Sequence, residues 1–290
     1  MNKPRELLTV HSIAEIRALV RGFQRDGLRV GFVPTMGNLH AGHYALVELA
    51  REHADRVVAS VFVNPSQFGP LEDYSRYPRT LAADQAGLLT AGCDVLFAPS
   101  VEEMYGVPQS AEVVVPDLVD ILCGAFRPGH FQGVATVVAK LFNIVGADVA
   151  VFGRKDYQQF IVIQQMVAAL NMPIEIVGAP TCRDHDGLAM SSRNQYLNAT
   201  ERQVAPMIYQ TLLAIARRFG DGESVTSLEA YGVAQLTQVG FTVDYVSIRN
   251  AQDLSAPLVD QPGIVLIAAR LGSTRLIDNQ PLGSGAAVAP

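Results

Sequence analysis

Between residue 28 and about residue 178, short apolar runs alternate with segments of helical periodicity. This alternation limits the fold more than any other feature of the chain. Strand-like runs fall at 28–33, 56–63, 94–98, 148–152 and 174–177, and helix-like segments at 41–54, 81–91, 131–145 and 157–170. Strands that are apolar throughout are buried on both faces. Helices placed between them make the sheet parallel. The expectation is an α/β domain with a doubly wound parallel sheet, whose ligands sit beyond the carboxyl ends of the strands.

The rest of the chain has a different rhythm. Asn198-Ala199-Thr200-Glu201 opens a long helix over 198–219, which Asp221-Gly222 ends. A second helix is expected over 224–239, then strands at 241–248 and 263–270 and a short third at 275–277. That order predicts a smaller α+β domain. The junction falls within 181–194, which divides the chain into 1–182 and 183–290.

Composition narrows the function classes. The chain has 290 residues, 49% of them hydrophobic and 17% charged, so it can bury a sizeable core and is not a disordered or repetitive polymer. A net charge of −6 disfavours a nucleic-acid binder. Cys93, Cys123 and Cys182 are isolated and odd in number, which argues against a disulfide framework and for a reduced, intracellular setting. Residues 1–10 do not read as a signal peptide, and no apolar run reaches the ~18 residues of a membrane helix. The Gly/Ala-rich tail, 283–290, reads as a loose end.

Three segments carry chemistry. In PTMGNLHAGH (34–43), Gly37 permits a close backbone turn, and the helix that follows offers unpaired N–H groups to a phosphate. His40 and His43, three apart, face the same way and can donate to a phosphate gaining charge. A zinc pair or structural histidines are the alternatives. In GRKDYQQ (153–159), Lys155 can reach a phosphate, and Asp156 can cap a helix or meet a phosphate-bound magnesium ion. A plain surface turn would look the same. In MSSRN (190–194), two hydroxyls and a guanidinium suit a polyphosphate, on a loop able to close over ATP, although S-S-R alone is also a common surface string. Together the three make an ATP site. Neither G-x-x-x-x-G-K-[ST] nor G-x-G-x-x-G is present. The histidines point to attack at the α-phosphate with release of pyrophosphate.

Gln67, after the second strand, and Gln159, opening a later helix, can hold a small carboxylate or hydroxyl substrate through neutral hydrogen bonds. Full pairing with arginine would stabilise a carboxylate in the ground state and blunt it as a nucleophile. Each glutamine can equally satisfy local backbone. The segment 122–131 places Arg127 and His130 in a Gly/Pro loop before a helix, where His130 either lines a site or caps the helix.

Seven ordered segments then identify a resemblance: PTMGNLHAGH (34–43), SVFVNPSQF (60–68), DYSRYPRT (73–80), CGAFRPGHFQGVATVVAKLFNIV (123–145), GRKDYQQ (153–159), DGLAMSSRN (186–194) and TRLIDN (274–279). Over nearly its whole length the chain resembles the pantothenate synthetase (pantoate–β-alanine ligase) family. The resemblance implies a Rossmann-like domain of nucleotidyltransferase type over 1–182 and an α+β lid over 183–290. It implies a cytoplasmic homodimer, with no membrane or nucleic-acid partner, on the route to pantothenate and coenzyme A. The implied reaction joins pantoate to β-alanine through pantoyl adenylate, consuming ATP with Mg2+ and releasing pyrophosphate and AMP.

The resemblance also implies residue roles. Met36, Gly37, Asn38, Leu39, His40, Ala41, Gly42 and His43 match the ATP-binding loop, with His43 as proton donor and His40 beside it. Gly153, Arg154, Lys155 and Asp156 match the second ATP segment, with Lys155 on the phosphates. Met190, Ser191, Ser192 and Arg193 match the third, and Cys182 falls where the family meets adenine through backbone. Gln67 and Gln159 match the pantoate-binding pair. No protein metal site is implied, because ATP holds the magnesium. Two positions depart from the family: Arg154, where Glu or Gln is usual, and Gly146-Ala147 before Asp148, where Pro is usual. The first adds charge near the phosphates and the second is structural. Another nucleotidyltransferase of the same fold would share H-x-G-H. A non-catalytic nucleotide-binding regulator would not need His40, His43 and Lys155 intact.

Overall fold

The computed structural model describes residues 6–70, 72–106, 111–258 and 260–283. Residues 284–290, most of the tail read as a loose end, lie outside these, as do residues 1–5 of the segment read for a signal peptide. The chain divides into two compact units. One holds the residues up to Arg154 together with Val162–Ala179, and the other holds Lys155–Ile161 and the residues from Pro180 onward.

The first unit is built on a six-stranded parallel sheet. Its strands are β1 (Leu8–Val10), β2 (Val30–Thr35), β3 (Arg56–Val61), β4 (Val95–Phe97), β5 (Val149–Gly153) and β6 (Glu175–Ala179), in the order β1-β4-β3-β2-β5-β6. The chain runs outward from β2 to β3 and β4, then returns to place β5 on the other side. The order therefore reverses at β2, where α/β sheets bind ligands. Pro34 lies inside β2, although a proline cannot donate to a ladder. The register explains it: β2 pairs with β3 along its whole length, but with β5 only at Gly31 and Phe32.

Nearly every face of the His130–Val145 helix is apolar and buried, and Phe142 meets Phe32 of β2 edge-on with ring centroids 6.4 Å apart. Each such buried aromatic contributes about 1.5–3 kcal/mol. Two elements precede the segment from which strands and helices were expected: β1 and the Ile13–Arg25 helix. Their signal was the capping box Ser12-Ile13-Ala14-Glu15, in which Ser12 and Glu15 satisfy each other's backbone N–H, followed by the buried Ile16 and Val20.

In the second unit, β7 (Thr242–Asn250), β8 (Gly263–Leu271) and β9 (Thr274–Leu282) form an antiparallel sheet in the order β7-β8-β9. Helices Met207–Gly220 and Val225–Gln238 contribute Ile208, Leu212, Ile215, Leu228 and Leu236 to one core with Val265, Ile267 and Leu276. Two expectations are corrected. The single helix expected over 198–219 is two, Ala199–Val204 and Met207–Gly220. Pro206 separates them because it has no N–H to continue the first helix and instead starts the second. The third strand has nine residues, not three. The polar pair Asp278-Asn279 hides its periodicity, and both side chains are buried. Among the described residues no helix is long and apolar enough to cross a membrane.

Candidate active site

In the first unit, the candidate residues grow from the end of β2. Thr35 Oγ1 donates to the Ser60 carbonyl at 2.7 Å and accepts the Gly37 N–H at 3.2 Å. The chain then turns through left-handed conformations at Gly37 (φ +84°) and Asn38 (φ +53°). A side chain at Gly37 would start 2.9 Å from Val61 Cγ1, so both dihedral and space require glycine. The turn is held from below by Asp84, which no sequence motif singled out. Its buried carboxylate accepts the N–H groups of Asn38 and Leu39 at 3.0 and 2.8 Å and the Thr80 hydroxyl at 3.1 Å. Burial, and then the charge of Asp84, push the nearby Tyr44 phenol above its ordinary value.

His40 is the N-cap of the Ala41–His53 helix rather than its first turn. Its Nδ1 accepts the Gly42 N–H at 3.2 Å, and His43 Nδ1 accepts the His40 N–H at 3.3 Å. The two rings lie with centroids 4.1 Å apart. A nitrogen that accepts an N–H bond carries no proton, so each neutral ring holds its proton on Nε2. The helix start therefore presents two Nε2–H donors together with its own positive dipole end. The structural role is compatible with phosphate binding, because the cap occupies Nδ1 of each ring.

Gln67 is buried at the end of the Pro65–Gln67 turn that follows β3. Its amide nitrogen lies 3.0 Å from Met36 Sδ, and its oxygen accepts from Asn64 Nδ2 at 3.1 Å. Asn64 Oδ1 in turn accepts the Tyr105 hydroxyl at 2.8 Å. Behind Gln67, Arg127 grips Glu72 with two bonds of 2.6 and 2.7 Å and places Nη1 2.8 Å from His130 Nε2. Guanidinium only donates, so His130 Nε2 accepts, and its Nδ1 donates to the Gln67 carbonyl at 2.8 Å. His130 is thus a buttress for Gln67, at the start of a helix whose N-cap is Gly129. Burial alone would raise Glu72, but the Arg127 fork outweighs it and holds the carboxyl below the usual range. Asn64 and Glu72 were not singled out from the sequence. The N-P-S capping pattern signalled Asn64; Glu72 had no local signal.

In the second unit, Lys155 sits in the short turn Arg154–Asp156, with Nζ 3.7 Å from Asp156 Oδ2. Gln159 lies half-buried in the first turn of the Tyr157–Ala169 helix, beside the buried Gln158. Cys182 and Met190 are joined by a bond from the Met190 N–H to the Cys182 carbonyl at 2.9 Å, with Arg183 bridged to Ala189 inside it. Arg202 ties this hairpin down, reaching Asp186 at 2.5 Å and Asp184 at 3.0 Å. The Arg202 bond holds Asp186 below its ordinary value. Ser191 caps the turn Ser192–Tyr196 by accepting the Arg193 N–H at 3.3 Å. Within the first unit, the loop after β2 meets Gln67 through Met36. Within the second, the Lys155 turn and the Cys182–Met190 hairpin both bond to β9.

Comparison with known proteins matches the chain to one family. The sequence profile described as Pantoate-beta-alanine ligase matches residues 8–281. A pantothenate synthetase of Pseudomonas putida (strain GB-1) is 57% identical over 275 residues, covering 93% of this chain and 96% of that one. One from Xylella fastidiosa (strain M12) is 56% identical, covering 93% and 98%. Among solved structures, pantothenate synthetase from Thermus thermophilus superposes with a TM-score of 0.85 at 50% identity, covering 94% of this chain and 98% of that one. Pantoate-beta-alanine ligase from Francisella tularensis, complexed with beta-gamma ATP and beta-alanine, gives 0.79 at 32% identity, covering 94% and 97%.

Proposed function

The chain belongs to the pantoate–β-alanine ligase family, and on that footing we propose that it makes pantothenate from pantoate, β-alanine and ATP in two steps, through a pantoyl adenylate. In the first step a pantoate carboxylate oxygen attacks the α-phosphorus of ATP. The bond from that phosphorus to the bridging oxygen breaks, and pyrophosphate leaves. In the second, the β-alanine amine attacks the acyl carbon, the acyl C–O bond breaks, and AMP leaves with the former carboxylate oxygen. Activation is needed because an amine does not displace oxide from a free carboxylate.

The observation that carries this reading is the reciprocal cap of His40 and His43. In neutral rings it leaves both Nε2 atoms as donors at a helix N-terminus, an arrangement that suits the negative charge of a five-coordinate phosphorus. His43 is assigned as proton donor to that phosphate group, and His40 as its partner. Met36 to His43 are assigned to ATP, as are Gly153 to Asp156, Cys182 and Met190 to Arg193, with Lys155 on the phosphates. Gln67 and Gln159 are assigned to pantoate. Neutral amides position its carboxylate without sharing its charge, which leaves it nucleophilic.

Magnesium is assigned to ATP itself. Among the described residues no group of three or more histidines, cysteines or acids is arranged to hold an ion. The half-exposed Asp156 carboxylate beside Lys155 suits an ion that arrives already bound to phosphate. When bound, it neutralises charge on the departing pyrophosphate. Residues 183–290 are assigned as a lid that keeps water from the reactive anhydride, and 1–182 as the ATP- and pantoate-binding domain. A cytoplasmic homodimer is part of the same reading and rests on family resemblance.

Isotope transfer tests the intermediate. Pantoate labelled with heavy oxygen in its carboxylate passes one labelled oxygen to AMP if the adenylate forms. Label found in pyrophosphate, or absent from AMP, refutes it.

A further inference from the structure

TRLIDN (274–279) has no part in the chemistry above, yet two of its adjacent side chains hold both nucleotide segments of the second unit. Asn279 Nδ2 donates to the main-chain carbonyl of Lys155 at 2.9 Å. A carbonyl can only accept, so the amide orientation is fixed by its partner. Asp278, on the strand face that also carries the core residue Leu276, accepts Arg183 Nη1 at 2.5 Å and Nη2 at 3.0 Å. Its Oδ1 also accepts the Asn279 N–H at 2.8 Å. Arg183 then donates to the Gly187 carbonyl at 3.2 Å and stacks over the Tyr209 ring, 3.7 Å from its centroid. Gly187 has φ +92°, and a side chain there would start 2.6 Å from Tyr209, so the close approach of the hairpin to Tyr209 requires glycine.

Asp278 is 3% exposed. Burial pushes its carboxyl above the ordinary range, and Arg183 pulls against that. A pair buried at such cost is a poor device for stability, since apolar residues of similar volume often do as well. What a bidentate fork supplies is fixed geometry. The fork sits next to Cys182, and the neighbouring amide holds the residue whose ammonium is assigned to the phosphates.

We propose that Asp278 and Asn279 are positioning residues for nucleotide binding, Asn279 by fixing the main chain at Lys155 and Asp278 by fixing the Cys182–Met190 hairpin through Arg183. The proposal rests on the ATP assignments made above. The strand acts as a common rail, and its two consecutive side chains reach two segments far apart in sequence.

The test is a calorimetric measurement of Mg-ATP binding to the full chain, in a double-mutant cycle. Asn279→Asp keeps the shape but sets an oxygen against the Lys155 carbonyl. Mg-ATP affinity is expected to fall on the order of tenfold, with the melting temperature monitored separately. In a Lys155→Ala background the same substitution is expected to change affinity less than about twofold, because the group it positions is gone. Asn279→Ala, which introduces no repulsion, should show the same dependence on Lys155 more weakly and serves if the first variant does not fold. Unchanged affinity in a folded variant, or an equal loss in both backgrounds, overturns the proposal. Binding is read without turnover. A wild type that binds Mg-ATP but releases no pyrophosphate with pantoate would refute the ligase chemistry and leave the cycle to judge the rail.

Discussion

His43 Nδ1 accepts the main-chain N–H of His40 at 3.3 Å, so the residue assigned as proton donor is also part of the helix cap. The two duties separate by substitution. Asparagine places an acceptor near Nδ1 but nothing at Nε2. His43→Asn should therefore keep most of the cap and lose adenylation by a factor on the order of 10²–10⁴. His43→Ala should lose the cap as well, at a further cost of about 1 kcal/mol in stability. Pyrophosphate release and thermal melts on both variants check this. Equal turnover in wild type and His43→Asn would remove the donor role.

Asp84 should matter to ATP without touching it. Asp84→Asn replaces one acceptor oxygen with a donor, so one of the N–H groups of Asn38 and Leu39 faces another donor. The expected loss is about 1–3 kcal/mol of stability. The KM for ATP should rise more than the KM for pantoate, because the disturbed turn is the one assigned to the nucleotide. Equal changes in both constants would mean that Asp84 serves the fold alone.

Gln67 gives a third prediction. Gln67→Ala should raise the KM for pantoate at least about tenfold while the KM for ATP changes little. Asn64→Ala, which removes the amide held against Gln67 Oε1, should move the same constant in the same direction by less. Steady-state kinetics with each substrate varied in turn decides this. Normal pantoate saturation in Gln67→Ala would refute its assignment.

Acid should weaken the buttress behind Gln67. The Glu72 carboxyl is held below its ordinary value by Arg127. Its stabilising contribution is therefore full above the ordinary carboxylate range. It is lost as pH falls through that range and then through the lower value of the folded protein. The fork is only partly shielded from solvent, so screening limits the contribution to about 1 kcal/mol or less. Melting curves from about pH 6 to about pH 3 should fall more steeply for wild type than for Glu72→Gln. Parallel curves would show that the pair contributes nothing.

The parallel sheet was legible because β2 to β6 are apolar on both faces, a pattern that needs no knowledge of their partners. The helix break at Pro206 was legible in principle: one residue lacks an N–H, and an otherwise regular apolar spacing concealed it. The length of β9 was not, since Asp278 and Asn279 look like surface residues until Arg183 and Lys155 are seen against them. Of the candidate site, the groups on local motifs stood out, among them His40, His43, Lys155 and Gln67. The residues that hold them did not. Asp84, Glu72 and Asn279 lie 46, 55 and 124 positions from the groups they bond, and only the fold brings such pairs together.

The most direct test of the central claim is the release of pyrophosphate and AMP by the purified protein with Mg-ATP, adding pantoate and β-alanine separately and together. Pyrophosphate that requires pantoate alone, with AMP and pantothenate requiring both, is the predicted result. Pyrophosphate released only when both acceptors are present, or no release with either from folded protein, would contradict the two-step reaction.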